Sequence, residues 1–242
     1  ICAVLLSGLC GLPSGLLAHS LPVLLRQHGV DLGYLGLLKL LALPWMLKVL
    51  WAPWVDRLAS RRLGHHRGWI LPLQLAIISI IAAIALLEPG RLFSSQLPLL
   101  LGLLLLVNLA AATQDIATDG LTVRLLPERW RGLGNSLQVG GYKIGMLVSG
   151  SGLLLIIDSF GWQRSIGLLA LLLLLMTLPI ALFAERQRWP FQPALAEPAG
   201  PGLLWRHYRG LLAQPGMLLW LAVLLSFKLG DALGSPMIKP ML

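Results

Sequence analysis

Two aspartates and a glutamine lie close together in an otherwise apolar stretch of this chain. Asp115 and Asp119 are four residues apart in the segment ATQDIATDGLTV, and Gln114 precedes the first of them. On a helix, residues four apart project from the same face. Two carboxylates this close resist ionising together at low dielectric constant, so one is expected to hold a proton unless a cation lies nearby. The pair therefore predicts a proton carrier; the alternative is that Asp119 is a solvated end residue paired with Arg124.

A second polar group lies in the next apolar stretch. Tyr142 and Lys143 are next to a stripe of small residues, Gly141, Gly145 and Ser149, that recur every four positions. Such a stripe lets a neighbouring helix approach closely. A lysine one or two turns inside a membrane is expected to pair with a carboxylate or an anionic solute. We therefore expect Lys143 to pair with one of the two aspartates, either in solute binding and coupling or as a purely structural ion pair.

A third group lies near the end of the chain, in the segment FKLGDALGSP. Lys228 and Asp231 are three residues apart and can pair along a helix. The glycines and the proline of this segment indicate a helix that bends near a solute. The candidates for proton coupling and solute binding are thus Asp115, Asp119, Gln114, Lys143, Tyr142, Lys228 and Asp231. No His, Cys or carboxylate set has the spacing of metal ligands, so we expect neither a metal nor another cofactor.

These residues must be positioned by helices that cross a membrane. The chain has 242 residues, of which 57% are hydrophobic and only 12% charged. A soluble domain of this length needs more charged surface. Seven apolar stretches are each about long enough for a helix to cross a hydrocarbon layer of roughly 30 Å. They cover residues 1–25, 33–55, 69–87, 97–120, 134–157, 164–184 and 216–235. The sequence therefore predicts an all-α membrane protein.

The distribution of arginines predicts how these helices are oriented. The net charge is +9, but the basic residues lie mostly in short links between apolar stretches, which argues against a nucleic-acid partner. The links after the second, fourth and sixth stretches carry eleven arginines, and those after the first, third and fifth carry three. Since basic links face the cytoplasm, we expect the N-terminus to lie there.

A proline-rich segment divides the chain. The stretch WPFQPALAEPAGPG contains four prolines, which disfavour a continuous helix and favour an extended linker. We predict a six-helix bundle over residues 1–184, a cytoplasmic linker over 185–215 and one further span over 216–242. Six spans, a long linker and a new span are the layout of a transporter built from two six-helix halves. We therefore expect the chain to be a fragment whose partner is the missing C-terminal half.

The link after the second apolar stretch carries a further motif. By itself, the acidic and basic cluster after KVLWAPW is explained by the charge of a cytoplasmic link. KVLWAPWVDR followed by a basic loop resembles the signature between spans two and three of the major facilitator superfamily. The resemblance implies a cytoplasmic latch between the two halves formed by Asp56, Arg57, Arg61 and Arg62. The glycine usual in that signature is Ala52 here.

Several motifs in the same order narrow the resemblance. LLKLLALPWMLKVLWAPWVDR, TQDIATDGLTVRLLPERWRG and GYKIGMLVSG resemble the AmpG branch of that superfamily, whose members import anhydro-muropeptides through the bacterial inner membrane. LLALPW, RGWILPLQ and ATQDIATDG are also similar to the RhtX and FptX siderophore permeases. The resemblance implies the six-helix N-terminal bundle of this fold, followed by the start of the second bundle.

Three functions are compatible with these patterns. The leading hypothesis is an inner-membrane secondary transporter that imports a bulky polar solute by proton-coupled alternating access. A siderophore is the preferred solute, and an anhydro-muropeptide is the alternative. A truncated remnant that does not transport is a further alternative. A membrane-embedded enzyme would need a nucleophile beside a base; His65 and His66 have none placed with them, so we expect no enzyme.

Overall fold

The computed structural model describes residues 11–27, 38–57, 65–182, 206, 209–210 and 212–226. The side chains of Lys39, Asp56 and Arg57 lie outside this description. The chain divides into two compact units, Ile1–Ala194 and Leu195–Leu242. Within the described parts, all regular structure is helical.

The described helices are numbered α1 to α7. In the first unit they are α1 (residues 11–27), α2 (38–57, a series of short helices), α3 (Arg67–Leu86), α4 (Leu97–Leu125), α5 (Glu128–Phe160) and α6 (Trp162–Leu182). A short helix, Pro89–Phe93, connects α3 to α4. The second unit contains α7 (Met217–Ser226).

Four of these helices, α3, α4, α5 and α6, are long and apolar enough to cross a membrane. Many of their leucines, isoleucines and valines are exposed at the surface of the unit. An outer surface of this kind suits lipid rather than water, because lipid tails impose no cost on exposed apolar side chains. The predicted all-α membrane fold is confirmed.

Helix α2 is broken where the sequence predicts one continuous span. It consists of a 3₁₀ segment (Leu38–Ala42), an α-helical turn (Leu43–Leu47), a second 3₁₀ segment (Lys48–Leu50) and a final α-helix (Ala52–Arg57). Pro44 and Pro53 lie in the first turn of the two α-helical pieces. Proline is tolerated there because its missing N–H has no partner in a first turn, whereas inside a helix it breaks the ladder. The helix therefore restarts at each proline.

Helices α1 and α5 pack closely through small residues. Gly141, Gly145 and Ser149 of α5 are all buried, as expected from their four-residue spacing. On α1, a Cβ at Gly11 would collide with the backbone of Tyr142. These glycines let the two backbones approach more closely than larger side chains allow.

Both helices contain a π-helical turn at this contact. The turns are Leu16–Ser20 in α1 and Val148–Gly152 in α5. The Ser20 hydroxyl lies 2.7 Å from the carbonyl oxygens of both Ser149 and Gly150 and shares its hydrogen between them. Ser20 is fully buried, so this contact satisfies polar backbone groups that water does not reach.

On the other side of the unit, α3 packs along α6. Near one end, the Arg67 guanidinium donates a hydrogen bond to the carbonyl of Ala181. Near the other end, Trp162 Nε1 donates to the carbonyl oxygen of Ile84 at 3.3 Å, and the Phe93 ring meets the Trp162 ring edge-on at 5.3 Å. The two helices are thus joined near both ends.

Candidate functional site

A cavity of about 640 Å³ lies among α1, α2, α4 and α5. Its wall is mostly aliphatic, and its polar groups come from Ser14, Trp45, Asn108 and Tyr142. A mostly apolar wall with a few converging polar groups, in this range of volume, is typical of sites for small organic ligands. The cavity is therefore the candidate solute site.

The Trp45 indole is fixed in the wall of this cavity. Its Nε1 donates a hydrogen bond to Asn108 Oδ1 at 3.0 Å, and Asn108 is buried. The Tyr142 ring stands edge-on to the indole, with ring centroids 6.1 Å apart and planes at 68°. These contacts join α2, α4 and α5, so the aromatic surface facing the cavity has a defined orientation.

An ion pair connects α2 to α4 next to the cavity. Lys48 Nζ lies 2.5 Å from Asp115 Oδ2, and the two side chains are 31% and 20% exposed. The same ammonium group lies 5.4 Å from the centroid of the Trp45 ring. Close by, Trp51 Nε1 donates to Thr113 Oγ1 at 3.1 Å. Neither Lys48 nor Asp115 lines the cavity, but Lys48 adjoins Trp45, which does.

The position of these groups along α4 indicates their depth. Helix α4 has 29 residues and starts at Leu97. At 1.5 Å per residue, Asn108 lies about 16 Å from this start and Asp115 about 27 Å. Since the hydrocarbon layer is roughly 30 Å thick, a helix upright in the layer places Asn108 near its middle. It places the ion pair about 10 Å further along, toward Arg124.

Asp119 and Gln114 have different surroundings from Asp115. Asp119 lies one turn beyond Asp115, is exposed, and accepts a hydrogen bond from Gln138 Nε2 of α5 at 3.2 Å. Gln114 is fully buried within the bundle. The structure thus places Asp115 in an ion pair with Lys48, which lies beside Trp45 of the cavity wall, whereas Asp119 is exposed and bonded to α5.

The expected pairing of Lys143 with one of these aspartates is corrected by the structure. Asp115 pairs with Lys48, and Lys143 is exposed. Tyr142, its neighbour, lines the cavity. Adjacent residues on an α-helix point about 100° apart, so the turn of α5 that directs Tyr142 inward directs Lys143 outward.

The sequence leaves the role of Lys48 ambiguous, because a lysine stem within an apolar stretch can also extend to the membrane surface. The sequence nevertheless contains an indication of the pair between Lys48 and Asp115. Lys48 follows Trp45 by one helical turn, and Asp115 is a carboxylate in another apolar stretch. Opposite charges in two neighbouring membrane helices reduce the cost of each other's burial.

The remaining predicted site residues are not positioned by the structure. Arg61, Arg62, Lys228 and Asp231 lie outside the described residues. Asp56 and Arg57 are described only as the backbone at the end of α2. The latch and the second lysine–aspartate pair stay predictions.

Comparison with known proteins places the chain in a family. A family model described as acetyl-coenzyme A transporter 1 matches residues 2–162, which is more than half of the chain. The chain belongs to this family. Its relatives therefore include the members of the acetyl-coenzyme A transporter 1 family.

Individual relatives give the branch. The chain is 33% identical to the anhydromuropeptide permease of Escherichia coli K12 over 92% of its own length and 44% of that protein. It is 30% identical to an uncharacterized protein of Haemophilus influenzae, over 92% of this chain and 52% of that one. A putative transporter, AmpG 4 of Rickettsia conorii, is 27% identical over 73% of this chain and 43% of its own. The chain spans about half the length of the curated relatives it matches.

These matches confirm the predicted AmpG-like resemblance, and they support a multi-pass membrane protein of the transporter class. They do not support the preferred solute. None of these three relatives carries a name that mentions a siderophore. The preference for a siderophore is therefore not maintained.

Proposed function

We propose that this chain forms the solute-binding part of an inner-membrane permease that carries an anhydromuropeptide into the cytoplasm. The observation that carries this proposal is the cavity among α1, α2, α4 and α5, whose wall contains the fixed Trp45 ring of α2 and the Asn108 amide near the middle of α4. The similarity to the anhydromuropeptide permease over 92% of the chain supports the choice of solute. The arginine-rich links favour a cytoplasmic N-terminus.

The chemistry of the cavity suits a sugar linked to a peptide. A sugar ring has apolar C–H faces and a polar edge, so it packs on an aromatic surface and bonds to amides at its rim. Trp45 and Tyr142 offer the aromatic surface, and Asn108 and Ser14 offer polar groups. A muropeptide also carries peptide carboxylates, which a cation must balance when they leave water.

The ion pair between Lys48 and Asp115 is our candidate for proton coupling. When Asp115 takes a proton it loses its charge, and Lys48 is left without the carboxylate that balances it. Removing one partner of a buried pair is costly, so the protonated state favours a different arrangement of α2 and α4. Transport requires that proton and solute bind the two arrangements unequally, and this pair lies between the two helices that would move.

Uptake of a radiolabelled anhydromuropeptide by proteoliposomes containing the full-length protein tests the proposal. We expect uptake driven by a pH gradient, loss of this uptake in Asp115→Asn, and normal uptake in Asp158→Asn, which removes an exposed aspartate of α5. Asn108→Leu should reduce uptake at least tenfold, whereas Asn135→Leu, at an exposed position of α5, should not.

Two results would contradict the proposal. Normal gradient-driven uptake by Asp115→Asn would exclude Asp115 as the proton carrier. If the wild-type protein transports no anhydromuropeptide but takes up a ferric siderophore, the proposed solute is wrong.

A further inference from the structure

The Lys48 ammonium has hydrogen-bonding capacity beyond its ion pair. It carries three N–H donors, and the structure shows one carboxylate oxygen, Asp115 Oδ2, at 2.5 Å. The Trp45 ring lies on another side of it at 5.4 Å. The side chain is 31% exposed. The cation therefore lies beside Trp45, a residue of the cavity wall, and is partly exposed, so a second anion has access to it.

The spacing of Asn108 and Asp115 along α4 matches the length of a short peptide. Asn108 and Asp115 are seven residues apart on α4, which is about 10 Å along the helix. Their side chains project nearly in line, because seven residues make almost two full turns. An extended peptide covers roughly 3.3–3.6 Å per residue, so about three residues cover this distance. A solute with its sugar at Trp45 and Asn108 would bring a peptide carboxylate to Lys48.

We propose that Lys48 is a specificity-determining residue that binds a peptide carboxylate of the solute in exchange for Asp115. This inference rests on the proposed function, since it assigns one part of the solute to one residue of the same site. The exchange replaces one carboxylate by another, so Lys48 stays balanced while the solute is bound, whereas protonation of Asp115 without solute leaves it unpaired. It also releases Asp115, which then becomes the group able to accept a proton.

The exchange predicts discrimination between an acid and an amide. A carboxylate on the solute forms a charge-assisted hydrogen bond to Lys48, about twice as strong as a neutral one. An amide at the same place cannot displace Asp115 and loses this bond. We expect the full-length wild-type protein to bind the acid at least tenfold more tightly than the amide.

Equilibrium binding to the purified full-length protein tests this. The probes are an anhydromuropeptide with free peptide carboxylates and the same molecule with those carboxylates converted to amides. The double variant Lys48→Met/Asp115→Asn should bind both probes alike, with the affinity for the acid reduced about tenfold. It removes both charges together, so neither is left unpaired and folding is preserved. Lys48→Arg should keep the preference for the acid.

Lys143→Met is the matched comparison, because it removes the exposed lysine of α5 and should leave the preference intact. A preference for the acid that survives in the double variant, or that disappears in Lys143→Met, would overturn the role of Lys48. Equal binding of both probes by the wild type would also overturn it while leaving the proposed function in place. Binding of neither probe by the wild type would instead refute the proposed function.

Discussion

Replacing Gly15 by alanine tests whether the close contact between α1 and α5 determines stability. A Cβ at this position would collide with the Ser149 hydroxyl and the Met146 carbonyl, and would lie 2.7 Å from Met146 Cα. The serine side chain can rotate away. The backbone of Met146 can move only if α5 moves with it, so the added methyl group must separate the two helices.

The size of the effect follows from two opposing contributions. Alanine is a better helix former than glycine by about 1 kcal/mol, which stabilises the variant. Overpacking costs roughly 1–3 kcal/mol, which destabilises it. Gly102→Ala isolates the first contribution, because Gly102 lies within α4 and an added Cβ there meets no atom within 4 Å. The difference between the two variants is therefore the packing cost, about 1–3 kcal/mol.

Thermal unfolding of the full-length protein in detergent measures this difference. For a folded unit of about 150–250 residues, each kcal/mol shifts the melting temperature by roughly 2–4 °C. We expect Gly102→Ala to melt at or slightly above the wild type and Gly15→Ala to melt several degrees below Gly102→Ala. Equal melting temperatures of the two alanine variants would show that α1 and α5 are not packed through Gly15.

Two further changes test the contacts and charges around the bundle. Ser20→Ala should destabilise the protein by about 1–3 kcal/mol, because two buried carbonyls lose their shared donor. In the same melting assay, Ser79→Ala should have little effect, because that serine is exposed and bonds within its own helix. Burial, followed by the positive charges of His65 and Arg124, lowers the pKa of His66 from 6.5 to about 4. In the unfolded chain this histidine therefore binds a proton at a higher pH than in the folded one. Its contribution to the free energy of unfolding is fully present above pH 6.5 and decreases as the pH falls toward 4. His66→Gln should flatten this part of the stability profile measured against pH, and an unchanged slope would assign the pH dependence to another group.

The sequence predicts the long helices well because each is determined by the apolar composition of its own segment. Helices α3, α4 and α6 are predominantly apolar over 20, 29 and 21 residues, and a helix satisfies the backbone of such a segment within lipid. The breaks in α2 are harder to anticipate. Pro44 and Pro53 are visible in the sequence, but a proline that begins a helical piece and one that kinks a continuous helix produce the same pattern.

The candidate site shows the same limit. An aspartate within an apolar helix predicts a partner, and the structure provides one for Asp115. Which cation that is depends on the faces that α2 and α5 turn toward α4, and these faces follow from tertiary packing. Lys48 and Lys143 are equally plausible on spacing alone. The structure excludes Lys143 as the partner, because its neighbour Tyr142 faces the cavity and Lys143 therefore points outward.

The two facing π-helical turns have a consequence for how this bundle tolerates insertions and deletions. A π turn accommodates an additional residue within a helix, and each residue removed from a helix rotates everything after it by about 100°. Deleting one residue within the π turn of α1 would let that turn revert to α-helical spacing and keep Leu24 and Leu25 buried, whereas the same deletion in a regular stretch of α1 would rotate them away from the core. Single-residue length changes among homologues are therefore expected to fall at these two turns rather than elsewhere in α1 and α5.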